Sequence, residues 1–410
     1  MAGDDIIDWR CKGFPVADTS VAAFVADQPG LFDAGFSWPI LALRESAIDH
    51  NVGVLASWCA EHEISLAPHG KTTMAPALFE RQLAAGAWAM TAATPWQVRA
   101  YRAFGVRRIL LANELVDSAF LRWLAGELAD PDFGFYCYVD SAVGAALISE
   151  VAREAPRPVN VLVERGLPAG RTGMRSDDAA RALAARVREL PGLSLVGVGG
   201  YEGPLGHDRD DTTLSAVRAY TRDLGELLER LDADGLLDGD VDEYVLTCGG
   251  SGQVDVVTEA LRRPINASRP VRRVLRSGSY ITHDDGLYAL TSSLAGELRP
   301  AIEVWCQVWS RPEGGLALLG AGRRDVSFDA GLPRPLLRRD ASGQLTPLDG
   351  EVVKLNDQHA FLAIAESAQL EVGDLVCLGI SHPCTALDHW RLVPLLDDER
   401  RVVDCVPLYF

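Results

Sequence analysis

Short apolar runs alternate with amphipathic segments of helical length between about residues 64 and 280. The runs have the length and the Val, Leu and Ile content of buried strands, whereas the segments between them carry apolar residues at helical spacing. The predicted strands are Ile64–Pro68, Trp88–Ala92, Arg108–Ala112, Phe133–Val139, Asn160–Glu164, Leu195–Tyr201, Tyr244–Cys248 and Arg273–Arg276. They number eight, and each is followed by a segment or a loop that could return the chain to the same edge of a sheet.

Helices between successive strands imply parallel βαβ units. The predicted helices are Pro76–Ala85, Pro95–Phe104, Ser118–Leu128, Ala142–Ala155, Asp177–Leu190, Thr213–Asp232 and Val254–Arg262. Eight strands in about 215 residues fit a closed (β/α)8 TIM barrel of the α/β class better than the alternative, an open doubly wound sheet. The amphipathic stretch Ser46–His62 precedes the first strand, and we expect it to cover the bottom or the side of the barrel.

The pattern changes after about residue 295. Short runs rich in Val, Leu and Ile are then separated by Gly, Pro and Asp turns, which is typical of an all-β domain. These runs are Ala301–Ser310, Leu316–Gly320, Glu351–Leu355, Leu375–Ile380, Arg391–Pro394 and Val402–Leu408. We therefore expect three parts: residues 1–35 as a segment that packs on the β domain, residues 36–294 as the barrel and residues 295–410 as the C-terminal β domain.

Charge and cysteine content narrow the class of protein. The 39 Lys and Arg residues against 57 Asp and Glu give a net charge of −18, which would repel a nucleic-acid backbone. The N-terminus has no basic and apolar leader pattern, and no apolar run approaches the ~20 residues that span a bilayer. The eight cysteines lack CxxC spacing, which argues against a disulfide framework. We expect a soluble cytoplasmic protein with no nucleic-acid or membrane partner.

Polar residues gather where the predicted strands end, which is where barrels build their chemistry. Gly/Ser-rich loops follow the seventh strand at Gly249–Gly252 and the eighth at Arg276–Tyr280, and two such loops can cradle a phosphate with backbone N–H groups. Lys71 follows the first strand, where loss of solvent would suit it to Schiff-base chemistry. A barrel with a phosphate site and such a lysine indicates pyridoxal phosphate, with a sugar-phosphate aldolase or isomerase as the alternative.

Ordered motifs over about residues 35–410 resemble one family. The motifs are Pro-His-Gly-Lys-Thr at 68–72, Gly-Arg-Thr-Gly-Met at 170–174, Gly-Tyr-Glu-Gly at 200–203, Gly-Gly-Ser-Gly at 249–252, Arg-Ser-Gly-Ser-Tyr at 276–280, Asn-Asp-Gln-His at 356–359 and Ser-His-Pro-Cys at 381–384. Together they resemble the alanine-racemase-like (fold type III) pyridoxal phosphate enzymes, and more narrowly the D-serine dehydratase / D-threonine aldolase branch, especially the bacterial amino acid deaminases.

The resemblance implies a set of residues that bind the cofactor. Lys71 would hold pyridoxal phosphate covalently, and Arg276 would stand at the ring nitrogen, where a guanidinium keeps its proton and leaves the ring unprotonated. The full implied set is Lys71, His69, Arg171, Tyr201, Gly250, Ser251, Gly252, Arg276, Gly278, Ser279 and Tyr280. The chain departs from the family pattern at Pro204, where many members have a histidine, and His207 lies three positions later.

A candidate metal pair lies near the C-terminus. His382 and Cys384 stand two residues apart, so in an extended segment, which Pro383 would help to keep, both face one side. A nitrogen and a thiolate suit zinc better than manganese or magnesium, which stay as alternatives. The resemblance implies that dehydratases of this branch bind zinc through such a pair, whereas D-threonine aldolases have His-x-Asp. Nearby candidates are Asp388 and His389, with His359 as a residue that supports the ligands.

These features lead to a ranked set of functions. We expect a pyridoxal phosphate and zinc dependent lyase, a dehydratase (deaminase) that acts on a small D-3-hydroxy amino acid such as D-serine or D-threonine, with Lys71, His382 and Cys384 as catalytic residues. The alternatives are a metal-dependent D-threonine-aldolase-type enzyme, a racemase, and a non-catalytic carrier of pyridoxal phosphate, which in this superfamily is a bare barrel. The family further implies a homodimer.

Overall fold

The computed structural model describes residues 6–15 and 18–410, and the chain forms two units. The first unit contains the residues up to Val54 together with Thr72–Arg81 and Ser279–Phe410. The second unit contains Leu55–Lys71 and Gln82–Gly278. In the described part of the chain, no helix is long and apolar enough to cross a membrane. All eight cysteines lie in the described ranges and none forms a disulfide, as the sequence predicts.

The N-terminal elements belong mainly to the first unit. They are β1 (Ile6–Ile7), β2 (Thr19–Ser20), α1 (Val21–Val25), β3 (Ile40–Arg44) and α2 (Glu45–Glu61), the last of which continues into the second unit. Residues 29–31 join the C-terminal part of the chain, because the Leu31 amide donates to the Arg400 carbonyl and the Val402 amide donates to the Pro29 carbonyl, each at 2.9 Å. Residues 1–5 and 16–17 of the predicted segment 1–35 lie outside the described residues.

The second unit is a parallel eight-stranded sheet. Its strands are β4 (Ser65–Leu66), β5 (Met90–Ala92), β6 (Arg108–Glu114), β7 (Gly134–Val139), β8 (Val159–Arg165), β9 (Leu193–Gly200), β10 (Tyr244–Cys248) and β11 (Val271–Leu275). They follow the order β4-β11-β10-β9-β8-β7-β6-β5. The two end strands also meet, since the Trp88 amide donates to the Leu66 carbonyl at 2.7 Å and the Thr91 amide to the Pro68 carbonyl at 2.8 Å. The sheet therefore closes, which confirms the barrel and makes the open-sheet alternative wrong.

Helices connect the barrel strands, and most begin with a side chain that caps the first turn. The helices are α3 (Pro76–Ala84), α4 (Pro95–Ala103), α5 (Ser118–Glu127), α6 (Ala142–Ala152), α7 (Asp177–Arg188), α8 (Asp211–Ala233) and α9 (Val254–Leu261). The capping residues are Thr94, Asp117, Ser141, Ser176 and Asp210, whose side chains accept from the exposed amides of the first turn. A cluster of buried residues in or beside the eight strands forms a hydrophobic core of the barrel: Ala67, Ala89, Leu110, Tyr138, Leu162, Val196, Val245 and Val274.

The C-terminal part of the first unit is mostly antiparallel. It contains α10 (Leu287–Thr291), β12 (Ile302–Glu313), β13 (Leu316–Leu319), β14 (Arg334–Arg339), β15 (Leu345–Pro347), β16 (Glu351–Leu355), β17 (Ala360–Ala363), β18 (Leu375–Gly379), β19 (Leu392–Leu396) and β20 (Val402–Pro407). The sheet order is β15-β14-β18-β12-β13-β17-β16, and β20 pairs with β19. All six strands predicted here form. The pattern missed three strands: β14 is rich in arginine, β15 has three residues, and β17 is apolar but has only four residues.

The strand β3 differs from the predicted division of the chain. Residues 40–44 fall in the range 36–294 assigned to the barrel, yet β3 pairs antiparallel with β12 and parallel with β19 in the first unit. Its four apolar residues, Ile40 to Leu43, are fully buried. A short, wholly apolar strand can be buried in any sheet, so its composition does not predict which sheet it joins.

Candidate active site

Lys71 lies directly after the first barrel strand, in a single 3-10 turn over Gly70–Thr72. It is one of only three lysines in the chain, and the other two, Lys12 and Lys354, belong to the first unit. Lys12 donates to Asp325 at 3.1 Å, and Lys354 lies on β16. Lys71 is therefore the only lysine available within the barrel to form a covalent bond with a cofactor.

His69, two residues before Lys71, is a neutral imidazole in a cationic environment. It forms a bridge with Thr91 where β4 and β5 meet. Burial lowers the pKa of His69 well below its usual value, and the positive charges of Lys71, Arg276 and Arg171 lower it further. Its Nδ1 atom is buried and has no hydrogen-bond partner in the described part of the chain. The predicted residues His69, Lys71, Arg171 and Arg276 thus share one neighbourhood, and an unpaired ring nitrogen is left within it.

Arg276 follows β11 and is held by two neutral acceptors. Its Nη1 atom donates to Thr247 Oγ1 and its Nη2 atom to the Gly200 carbonyl, both at 2.6 Å. The residue is 4% exposed. Burial alone would lower the pKa of Arg276, but the neighbouring acidic groups raise it overall; in order of effect they are Tyr138, Cys248, Glu202 and Glu164. The guanidinium is therefore charged and fixed in orientation, as a partner for a ring nitrogen must be.

Two predicted phosphate loops are tied together. Ser251 Oγ lies 2.9 Å from Ser277 Oγ, and the Gly278 amide donates to Ser251 Oγ at 3.3 Å. A Cβ on Gly278 would lie 2.5 Å from the His69 carbonyl oxygen, so this position admits only glycine. A Cβ on Gly252 would meet nothing within 4 Å, which leaves open space beside the loop. The next residues, Ser279 and Tyr280, are buried and belong to the first unit.

The first glycines of the loop differ from the expected phosphate cradle. The Gly249 amide donates to Glu202 Oε2 at 3.1 Å, and the Gly250 amide donates to Glu202 Oε1 at 2.7 Å. The Gly250 amide therefore binds a carboxylate of the protein itself. The predicted phosphate-binding residues of this loop are Gly250, Ser251 and Gly252. Glu202 accepts from the Gly250 amide, and Ser251 and Gly252 follow that contact in the chain.

Arg171 and Tyr201, which the sequence places near the cofactor ring, contact each other. The Arg171 guanidinium lies 4.5 Å from the centroid of the Tyr201 ring, within the range of a cation–π interaction. The histidine-to-proline departure falls just beyond, in the turn Gly203–Leu205. His207 is exposed to solvent. No contact in the described structure gives His207 a role in the site.

An acidic cluster inside the barrel was not predicted. Glu114 ends β6 and Glu164 lies near the end of β8, with Tyr138 on the strand between them. Both carboxyl oxygens of Glu114, the Oε2 atom of Glu164 and the hydroxyl of Tyr138 are buried and lack partners in the described part of the chain. Burial, together with the neighbouring carboxyl groups of Glu164 and Asp140, raises the pKa of Glu114 to about 9. Glu114 therefore keeps its proton at neutral pH. The sequence feature that could have predicted this cluster is an acidic residue at or near the end of each of two barrel strands.

These features fit pyridoxal phosphate. The barrel offers one lysine, a fixed arginine, a serine hydroxyl in a glycine-rich loop and open space at Gly252. Buried polar atoms without partners on His69, Tyr138 and Glu164 are of the kind that a bound polar ligand satisfies.

His382 and Cys384, in the first unit, are brought together by a turn and not by an extended segment. His382 is extended, but Pro383–Thr385 form a 3-10 turn that Pro383 begins, so the predicted extended geometry is wrong. The two side chains nevertheless lie close enough for each to shift the pKa of the other. Burial would raise the pKa of Cys384, but His382 and two hydroxyl groups lower it overall. The thiolate form, which binds metals, is thereby favoured.

Three further residues support this pair. His382 Nδ1 lies 2.8 Å from Asp329 Oδ2, and Cys384 Sγ lies 3.2 Å from Thr72 Oγ1 and 3.5 Å from Ser279 Oγ. Burial lowers the pKa of His382, but Cys384 and Asp329 raise it to about 9. A carboxylate on one ring nitrogen orients a histidine so that the other nitrogen can bind a metal. Asp329 was missed because it lies 53 residues away in the chain, in no recognisable motif.

An imidazole beside a thiolate fits zinc better than a hard cation. Within residues 6–15 and 18–410, no group of three or more His, Cys, Asp or Glu residues could hold a metal, so the pair would leave positions open for other ligands. The additional candidates do not join it. His389 faces Asp388 at 3.8 Å, and His359 packs edge-on against Trp309 with a centroid distance of 5.4 Å.

Two family models match the chain. The model described as "Alanine racemase, N-terminal domain" matches residues 43–247, and the model described as "Putative serine dehydratase domain" matches residues 301–396. Between them they cover both the lysine of the barrel and the His382–Cys384 pair.

Relatives found by sequence and by structure align with most of the chain. D-threonine aldolase of an Arthrobacter species is 27% identical over 87% of this chain and 88% of the relative, and 3-hydroxy-D-aspartate aldolase of Paracoccus denitrificans is 24% identical over 80% and 85%. Among solved structures, D-threonine aldolase from Filomicrobium marinum has a TM-score of 0.76 and 24% identity over 91% of this chain and 95% of its own. D-threo-3-hydroxyaspartate dehydratase from Delftia sp. HT23 has a TM-score of 0.74 and 20% identity over 93% and 100%. At these identities the two structures share the fold.

Proposed function

Since the chain belongs to the alanine-racemase-like, fold type III family of pyridoxal phosphate enzymes, we propose that it is a zinc-dependent dehydratase of small D-3-hydroxy amino acids. Substrates such as D-serine or D-threonine would yield a 2-oxo acid and ammonia. The observation that carries the proposal is the His382–Cys384 pair, with Asp329 on the histidine. The names of the relatives, which are enzymes of D-threonine and 3-hydroxy-D-aspartate, support a D-hydroxy amino acid as substrate.

The barrel residues would hold the cofactor and move the α-proton. Lys71 would bind the cofactor carbonyl, the Ser251–Gly252 loop with Gly278 would hold the phosphate, and Arg276 would contact the ring nitrogen. Pyridoxal phosphate, when bound, supplies an electron sink for cleavage of a bond at the substrate Cα. The Nζ atom of Lys71, once released, is the base that takes the Cα proton. The charged Arg276 keeps its own proton, because a guanidinium does not deprotonate in proteins.

The first unit would assist the departure of the hydroxyl. The Cβ–O bond must break as the Cα proton leaves, and hydroxide is a poor leaving group. His382 and Cys384 would hold zinc, which supplies a Lewis acid for that oxygen. Thr72, which contacts the Cys384 thiol, is the residue that follows Lys71 in the chain.

A D-3-hydroxy-amino-acid aldolase is the second candidate, favoured by the names of the two sequence relatives. The family resemblance weighs against it, because aldolases of this branch carry aspartate where this chain has Cys384. The C-terminal β structure with its His382–Cys384 pair weighs against a carrier without activity. A racemase needs no such pair.

The product formed from D-serine and D-threonine tests the reaction type. Ammonia and a 2-oxo acid support the dehydratase, whereas glycine with an aldehyde supports the aldolase. Metal analysis of the purified protein tests the zinc, with manganese and magnesium as the alternatives. Size measurement by light scattering tests the homodimer that we also propose, and fractionation of cells tests the proposed cytoplasmic location.

Replacing Cys384 tests how the hydroxyl leaves. If the metal serves the leaving group, Cys384→Ala should reduce elimination from D-serine far more than elimination from β-chloro-D-alanine, because chloride needs little assistance. A chelator should reproduce this selectivity, and Cys11→Ala, at a partly exposed cysteine, is the matched control. Equal losses on both substrates, or loss of the cofactor from Cys384→Ala, would show that the residue is structural.

A further inference from the structure

Glu202 is a buried carboxylate to which the proposed reaction assigns no role. It directly follows Tyr201, beyond the end of β9, and is 4% exposed. Three donors from the start of the next loop point at it: the Gly249 amide at 3.1 Å, the Gly250 amide at 2.7 Å and the Cys248 thiol at 3.4 Å. In the described part of the chain, no lysine or arginine forms a salt bridge with it within 4.0 Å. Burying a charge without a salt bridge costs free energy, so the hydrogen bonds from the two amides are what stabilise the Glu202 carboxylate inside the barrel.

Two successive amides that point at one acceptor form the geometry that proteins use to bind anions. Here the anion is the Glu202 side chain, so a carboxylate of the protein itself occupies the anion site at the first turn of the proposed phosphate loop. The φ angle of Gly249 is +101°, a conformation that side chains other than glycine rarely adopt. A Cβ on Gly250 would lie 3.2 Å from the Tyr201 ring and 3.4 Å from Glu202 Oε1. The first turn therefore packs closely on Tyr201 and Glu202. This packing fixes the position at which the next residues, Ser251 and Gly252, begin.

The carboxylate also balances the charge of Arg276. The guanidinium is buried, and the two groups that accept from it, Thr247 Oγ1 and the Gly200 carbonyl, are both neutral. Glu202 is one of the anionic groups whose charge favours the protonated guanidinium. Tyr138 and Cys248 raise the pKa of Arg276 more than Glu202 does, and the contacts of Glu202 itself are with the loop, so its removal should act mainly on the loop.

We propose that Glu202 is a positioning residue, which fixes the Gly249–Gly250 turn so that Ser251, Gly252 and Gly278 are arranged to receive the cofactor phosphate. The phosphate then binds beyond the first turn and not at the Gly249 and Gly250 amides. The role concerns the cofactor and not the substrate, so it holds equally for a dehydratase, an aldolase or a racemase.

Two ligands separate this role from a general structural one. Pyridoxal phosphate and pyridoxal have the same aldehyde and ring, but pyridoxal lacks the phosphate. Glu202→Gln keeps the shape of the side chain, yet its NH2 group cannot accept from the Gly249 amide, which would be left buried and unpaired. The dissociation constant of each ligand is measured by fluorescence titration of the cofactor-free protein. Glu259→Gln, which removes an exposed carboxylate on the helix that follows the loop, is the control.

For Glu202→Gln we expect the dissociation constant of pyridoxal phosphate to rise by about tenfold or more, while that of pyridoxal stays within about twofold of the parent value. Glu202→Asp keeps the charge but has a shorter reach, and it should give an intermediate loss. Glu259→Gln should leave both constants unchanged.

Three results would overturn the proposal. The first is an unchanged affinity of Glu202→Gln for pyridoxal phosphate. The second is an equal loss for both ligands, which would mean that the residue supports the whole pocket. The third is failure of both the Gln and the Asp variants to fold, as judged by circular dichroism, which would make Glu202 a requirement of the barrel and not of the phosphate site.

Discussion

The proton that Glu114 keeps in the folded protein predicts a specific change of stability with pH. In the folded protein the pKa of Glu114 is raised to about 9, because the carboxyl is buried beside a second one. In the unfolded chain the same group titrates at its ordinary value near 4.5. Between these pH values the folded state holds a proton that the unfolded state has lost, so this group makes the free energy of unfolding fall as the pH rises. Above about pH 9 the effect is complete.

The size of the effect follows from the two pKa values. Each pH unit between them corresponds to about 1.4 kcal/mol, so the upper limit is about 6 kcal/mol. The side chain of Glu114 is only partly buried, and solvent screening reduces the expected effect to about 2 kcal/mol. Glu114→Gln removes this titration and leaves a neutral amide of similar shape in its place.

Urea unfolding at pH values from 5 to 9 measures this difference, with saturating pyridoxal phosphate in every sample. The stability of Glu114→Gln relative to the parent should increase by about 2 kcal/mol across that range. Glu313→Gln removes an exposed carboxylate and should show a constant offset from the parent. If the offset of Glu114→Gln is also constant between pH 5 and 9, Glu114 does not keep its proton in the folded protein and this prediction is wrong.

Three other substitutions test separate parts of the site. Lys71→Ala should abolish covalent binding of the cofactor, and borohydride reduction of the parent followed by peptide mapping should place the pyridoxyl group on Lys71; its recovery on either of the other two lysines would overturn the assignment of the site. Gly278→Ala should destabilise the protein by about 2 kcal/mol or more and weaken cofactor binding, since its Cβ would lie 2.5 Å from the His69 carbonyl oxygen, whereas Gly252→Ala should fold normally because its Cβ meets nothing within 4 Å. Asp329→Asn should weaken zinc binding by about 10- to 100-fold in a chelator competition while the cofactor stays bound, and unchanged zinc affinity would contradict its role in orienting the histidine.

The sequence by itself determined the barrel and the residues at its strand ends. Each of the eight strands is a local apolar run, and each connecting helix has its own spacing and usually its own capping residue, so neither depends on distant partners to be recognised. Lys71 and the glycine-rich loops follow such strands directly. Because parallel strands of one barrel present their carboxyl ends on the same side, position along the chain was enough to indicate a common site.

Only the tertiary structure decided which partners those residues meet. The pattern of Ile40–Arg44 fits any buried sheet, and its place beside β12 is settled by packing. The Gly250 amide binds Glu202, 48 residues earlier in the chain, and His382 meets Asp329 across 53 residues. Hydrogen bonds such as these depend on distances of a few ångströms between atoms, and the periodicity of a sequence does not predict such distances. Such contacts come into being when the chain closes into a barrel or a sheet, so no local pattern records them.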